Sequence, residues 1–173
     1  KFGPSAILAA PIITEWQNYV GTSTWGNTDV ACRYRRVGDS IDVEIGWVLT
    51  GVPTATALYI NFLPPGLAID TSKLTPPLTG DMSLGDGVYV DAGTAEIKVH
   101  ATYSSATSIG IRHLASGGAT PTSATTFVTE STPFISGSGD FGNIRLRSLP
   151  IVGWGTGAVM NTNELSLQTT VAT

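Results

Sequence analysis

Five apolar residues in strict alternation, Ile41, Val43, Ile45, Trp47 and Leu49, constrain this chain more than any other feature. Asp42, Glu44 and Gly46 stand between them, giving the period of two that a half-buried strand requires. A helix would split the five between two sides, with Val43 and Trp47 across from Ile41 and Ile45. Gly38 and Asp39 supply a turn just upstream, and Val30, Cys32 and Tyr34 alternate with Arg33 and Arg35 before it. The two segments are therefore expected to form a hairpin.

The same period recurs along the chain. Residues 12–20 read as a first strand after the lead-in S-A-I-L-A-A-P-I-I, and residues 58–63 as another that Pro64 and Pro65 end, since proline donates nothing to a ladder. Residues 66–93, rich in Pro, Gly, Asp, Ser and Thr, are expected to be a long connection with a short strand at 88–90. Residues 95–103 alternate Ala95, Ile97, Val99, Ala101 and Tyr103 against Glu96, Lys98, His100 and Thr102, with a partner strand at 108–114. A short strand near 125–129, one opening at Ile144 and running into L-P-I-V-G-W, and a closing strand in E-L-S-L-Q-T-T-V complete the series. Eight to ten short strands, no credible helix and no fixed repeat predict an all-β fold, an antiparallel β-sandwich or jelly roll. The expected organisation is a lead-in and first strand over residues 1–20 and a single sandwich domain over 21–173.

Composition narrows the partners. Only 13% of residues are charged while 42% are hydrophobic, and an average soluble protein carries about 25% charged residues. Such a chain is expected to cover part of its surface by oligomerising. A net charge of −4 with scattered cations argues against nucleic acid and against anionic membranes, and no run approaches the length of a membrane span. The absence of an initiator methionine and of a signal-peptide pattern reads as a fragment cut from a longer protein.

Few residues suggest chemistry. Asp42 and Glu44 read as a solvated strand face rather than a carboxylate pair for glycoside cleavage. Asp81, Asp86 and Asp91 lie in Asp-Gly-rich sequence without the spacing of a calcium loop, so they read as turn formers. His100 and His113 have no metal-ligand partners at the right spacing and are expected at the surface. Cys32, the sole cysteine, has the phase of a small core residue. No catalytic residue, metal site or cofactor is expected. Trp47 is a core residue by phase. Trp16, Tyr19 and Trp25 lie in or beside polar sequence, where rings either stack on sugars or fill the core or a subunit contact.

Three stretches carry a resemblance. The runs C-R-Y-R-R-V-G-D-S-I-D-V-E-I at 32–45, L-P-P-G-L-A-I-D at 63–70 and S-G-D-F-G-N-I-R-L-R-S-L-P-I-V-G-W at 138–154 resemble, in order, signatures of C-terminal domains in tailed-bacteriophage tail fibres and related phage structural proteins. The chain departs from that pattern in the 70–93 insertion and in the 19 residues that follow Trp154. The resemblance implies a homotrimeric, non-catalytic fibre head of the virion, exposed outside the cell, that attaches to a bacterial surface glycan or protein. Under that reading the ligand-binding candidates are loop residues: Trp25 and Tyr103 as stacking rings, with Asn27, Asp29 and Asp86 as hydroxyl partners. Two other readings stand beside it: a capsid, decoration or baseplate jelly roll that binds only virion proteins, and a polysaccharide depolymerase.

Overall fold

The computed structural model describes residues 12–74, 83–114 and 125–154. Ten strands appear among them: β1 (Gln17–Val20), β2 (Thr22–Ser23), β3 (Thr28–Val37), β4 (Ser40–Leu49), β5 (Tyr59–Asn61), β6 (Ser83–Asp91), β7 (Ala95–Tyr103), β8 (Ser108–Leu114), β9 (Thr125–Phe127) and β10 (Phe141–Pro150). No α-helix occurs among the described residues, and the one helical element is a 3-10 turn at Thr71–Lys73. All strand pairs are antiparallel. The all-β antiparallel expectation therefore holds.

The strands form one sheet that nearly closes into a barrel. Its order is β1-β3-β4-β10-β6-β7-β8-β5-β2, with β9 on β8. The first and last strands of that path are neighbours in sequence, separated by Gly21 alone. One extended segment thus pairs with β3 through Val20 and Ala31, and with β5 through Thr22 and Asn61. Gly21 lies where the two edges converge: a Cβ there would sit 2.8 Å from the Asn61 carbonyl oxygen and 2.9 Å from Val30. Closure satisfies edges that would otherwise invite pairing with other chains.

One cluster of apolar side chains fills the interior. Ile41, Val43, Ile45, Trp47 and Leu49 of β4 are all buried, joined by Ile144 and Leu146 of β10, Tyr89 of β6, Ile109 and Ile111 of β8 and Ile60 of β5. Tyr89 stacks on Phe134 at 4.7 Å between centroids, and its hydroxyl lies 2.8 Å from Ser136 Oγ. Burial pushes the phenol up to about 12, against the partly compensating Ser136 bond.

Several expected boundaries shift. The first strand is four residues, with only an isolated bridge from Ile13 to Val37 before it, and the 58–63 strand shrinks to Tyr59–Asn61. The strand expected at 88–90 is a nine-residue member of the sheet, paired on both sides. The last described strand starts at Phe141 rather than Ile144. The expected closing strand in the tail, and Asp81, lie outside the described residues.

The barrel has two unlike poles. At one, the turn at Gly38 and Asp39, residues 68–70 and residues 150–154 converge: Asp70 N donates to Pro150 O at 2.8 Å, Val152 N to Ala68 O at 2.9 Å and Ile151 N to Asp39 O at 3.2 Å. Lys73 pins them, reaching Asp39 Oδ2 and the Trp154 carbonyl at 3.0 Å each. The Arg36 guanidinium lies 4.5 Å over the Trp154 ring. The described chain enters at this pole, where Ile12 O accepts from Gly38 N at 2.8 Å, and leaves it at Trp154. The other pole is the full length of β4 away, about 30 Å at 3.3 Å per residue. There the loops around residues 24–27, 50–57 and 128–140 are tied by Thr50 N to Asn27 O at 2.9 Å, Gly26 N to Thr54 Oγ1 at 2.9 Å and Gly139 N to Leu49 O at 2.8 Å.

Candidate functional site

The five candidate residues do not form one site. Trp25 is a correction: it is 1% exposed, its ring 6.4 Å from Tyr89, so it is a core residue and not a stacking platform. Polar neighbours masked it, because the loop carrying it folds under the pole, held by the bond from Gly26 to Thr54. Asn27 is exposed at the same pole and donates to Val52 O at 2.8 Å. Asp29 is exposed at that end of β3, Asp86 is exposed halfway along β6, and Tyr103 is half-buried against the core at the end of β7, toward the opposite pole.

Two further surface expectations are corrected. His113 is 5% exposed and belongs to the interior face of β8. Asp42 is 6% exposed although its phase on β4 points outward. Its burial comes from β10, where the register slips between Leu146 and Leu149, leaving Ser148 at φ 53°. A bulge frees a backbone amide, and Asp42 Oδ1 accepts it from Ser148 N at 3.1 Å. Arg35 lies 3.0 Å from Asp42 Oδ2 and Arg147 3.4 Å. Burial alone acts to raise the Asp42 carboxyl, but the Ser148 amide and the two arginines outweigh it and hold it below the usual range.

Those contacts belong to a ladder on the outer wall. Cross-strand register aligns Arg33, Glu44, Arg145 and Asp86 in one row. Arg33 Nε donates to Glu44 Oε2 at 2.6 Å, while Arg145 and Arg147 reach Glu44 Oε1 only at 3.6 Å. Four guanidiniums therefore face two direct carboxylate partners, or three with Asp86. Trp16 lies beside them, its centroid 5.1 Å from the Arg33 guanidinium carbon and 5.0 Å from that of Arg35, within cation–π reach.

Next to the ladder the wall is hollow. Ala31, Gly46 and Asn143 occupy the adjacent outward row; two of the three carry a methyl or nothing, so the backbone itself forms a floor. A depression of about 360 Å³ lies over this floor, bordered by Asn18, Arg33, Glu44 and Arg145. It continues toward the loop pole into a second of about 560 Å³, bordered by Val20, Asp29 and Val48. Val20 and Val48 are exposed, as is Phe141, the cross-strand partner of Val48. The groove thus has a cationic end and an apolar end. The alternation that sets Arg33 and Arg35 opposite Val30, Cys32 and Tyr34 is legible in the sequence, but their meeting with Arg145 and Arg147 is not, because nothing local records that β10 lies beside β4.

No group of three or more metal-ligating side chains occurs among the described residues. Comparison of the chain with protein-family models, with curated proteins and with solved structures gives no match.

Proposed function

We propose that this chain is a non-catalytic recognition head of the tail-fibre type, a virion component that attaches to a bacterial surface glycan and assembles as a homotrimer. One observation carries the reading. Each of the three segments on which the resemblance rests sends one part, Asp39, residues 68–70 and residues 150–154, to a single pole around Lys73, where the described chain also begins and ends. A barrel held at that pole presents its side wall and its loop pole outward, the disposition an attachment module requires. The ladder suits binding better than proton transfer: Asp42 is held anionic by its partners, and a general acid needs a raised carboxyl. A trimer would strengthen such attachment, since three weak sites on one rigid head gain through effective concentration.

The test is binding of the labelled chain to intact bacteria and to purified capsular and O-antigen polysaccharides, with the mass measured by light scattering. Saturable binding competed by a polysaccharide, with a mass three times that of the chain, is expected. A monomeric mass refutes the trimer, and no binding to any cell or polysaccharide refutes the attachment role. One observation favours a second reading, a structural virion protein that binds only other virion proteins: Val20, Val48 and Phe141 form an exposed apolar corner on the wall. That reading requires a polysaccharide panel without hits.

A further inference from the structure

We infer that the cationic end of the side-wall groove holds the anionic group of a surface saccharide, a carboxylate or a phosphate ester, between Arg33 and Arg145. The inference rests on the attachment reading and names its ligand class. Arg145 is 64% exposed, and its closest carboxylate contact is the 3.6 Å approach to Glu44, too long for a hydrogen bond. Its guanidinium makes no other hydrogen bond or ion pair among the described residues. Arg33 is 52% exposed and commits its Nε edge to Glu44, and a guanidinium carries five donors. The two arginines flank Glu44 in the cross-strand row, so their remaining donors border the same hollow.

The surroundings match a sugar. Asn18 and Asn143 place amides at the rim for hydroxyl groups, and the Ala31 and Gly46 floor leaves room for a ring to lie flat on backbone. A volume of about 360 Å³ falls among small-ligand sites of about 300–1,000 Å³. Position matters too: Asp29 borders the far end of the groove, so an anionic group is directed to the arginine end. The chain's net charge of −4 disfavours long polyanions such as duplex nucleic acid, which would overlap acidic surface beyond the groove.

The experiment uses the full chain, isotope-labelled, with four probes: oligogalacturonate, poly(glycerol phosphate), dextran and duplex DNA. Amide shifts at Ala31, Gly46 and Asn143 with an anionic probe, and a much weaker response to dextran, are expected. Oligogalacturonate and poly(glycerol phosphate) distinguish carboxylate from phosphate. Affinity is expected to fall as salt rises and the Debye length shrinks from about 10 Å at 0.1 M to about 3 Å at 1 M. Arg145→Gln is expected to weaken binding at least about tenfold, the loss of one charge-assisted contact. Gly46→Val fills the groove while its Cβ meets only backbone oxygens at 4.0 Å, so it is expected to fold and to abolish binding. Equal response to dextran or to duplex DNA, no shift at those amides in the unmodified chain, or unchanged binding by folded Gly46→Val overturns the inference. The wild-type shifts decide the matter even where a variant fails to fold. Cell attachment retained by both variants overturns this site alone, whereas a wild-type chain that attaches to no cell overturns the attachment reading.

Discussion

Gly142 and Gly46 lie on neighbouring strands and occupy opposite faces of the wall, and this makes a paired test of the barrel interior. Gly142 pairs with Trp47; a Cβ at Gly142 would collide with Trp47 Cζ2 and lie 2.6 Å from Cε2 and Cη2. Trp47 is buried and packs 6.0 Å from Tyr89, so it has nowhere to retreat. Overpacking of this kind costs about 1–3 kcal/mol, and the gain from removing glycine's unfolded-state freedom offsets only about 0.4–1 kcal/mol. At Gly46 the same methyl meets only two backbone oxygens at 4.0 Å, an ordinary contact, so only the gain remains. For a chain of this length each kcal/mol moves Tm by about 2–4 °C. Gly142→Ala is therefore expected to lower Tm by up to about 10 °C, and Gly46→Ala to raise it by about 1–4 °C, in calorimetry, with urea midpoints moving in the same directions. Combining Gly142→Ala with Trp47→Phe removes the ring atoms that collide, so the cost of the alanine is expected to drop by at least about 1 kcal/mol in that background. Equal shifts for both glycines, or an undiminished cost in the Trp47→Phe background, would refute this packing.

Three further outcomes follow from named contacts. Asp42→Ala strands the Ser148 amide and two guanidiniums and is expected to cost about 2–3 kcal/mol. Because the folded carboxyl is held low, its contribution is fully present above the unfolded value of about 3.9 and is lost as pH falls through the folded value. Wild-type Tm is thus expected to drop more steeply below about pH 4 than that of Asp42→Ala. Lys73→Met is expected to cost about 1 kcal/mol and to show coupling to Asp39→Asn in a double-mutant cycle; additivity counts against the pin. Cys32, pushed up to about 11 by burial, is expected to react with a thiol reagent only as fast as the barrel opens, so rapid labelling under native conditions would contradict the closed wall at Gly21.

The alternation from Ile41 to Leu49 was legible because its signal is local and its meaning does not depend on a partner. The β3–β4 and β7–β8 pairs were legible for the same reason, each joined by a short turn. β6 was harder: G-D-G-V-Y-V-D has the composition of a loop, yet its glycines let the β10 backbone approach, and a Cβ at Gly87 would collide with the Asn143 carbonyl oxygen. The candidate site was least legible. Asp42 is buried by Arg147 and Ser148, more than a hundred residues away, and Trp25 looks like a loop residue until the loop at Thr54 is known to lie against it. Alternation assigns a residue to a face. It does not say which strand lies next to that face, and the ladder and groove are made of that adjacency.

The interlocked pole and the groove therefore do separate work, although Arg33, Glu44, Asn143 and Arg145 of the groove lie in the same 32–45 and 138–154 runs as part of the pole. Arg36, Asp39, Asp70, Lys73, Ile151 and Trp154 interlock at one pole through backbone bonds, an ion pair and a cation–π contact, and none of them borders the depression over Gly46. The contacts of the pole hold the barrel together at one end. In the proposed site, ligand choice falls to Arg33, Asn143 and Arg145, whose outward side chains the core does not constrain. The two sets are thus expected to dissociate: Lys73→Met lowers the melting temperature while oligogalacturonate binds the folded fraction unchanged, and Arg145→Gln does the reverse, because an exposed guanidinium with only a 3.6 Å contact contributes little to stability. A Lys73 variant that binds more weakly when fully folded would show that the pole and the groove are coupled through β3 and β4.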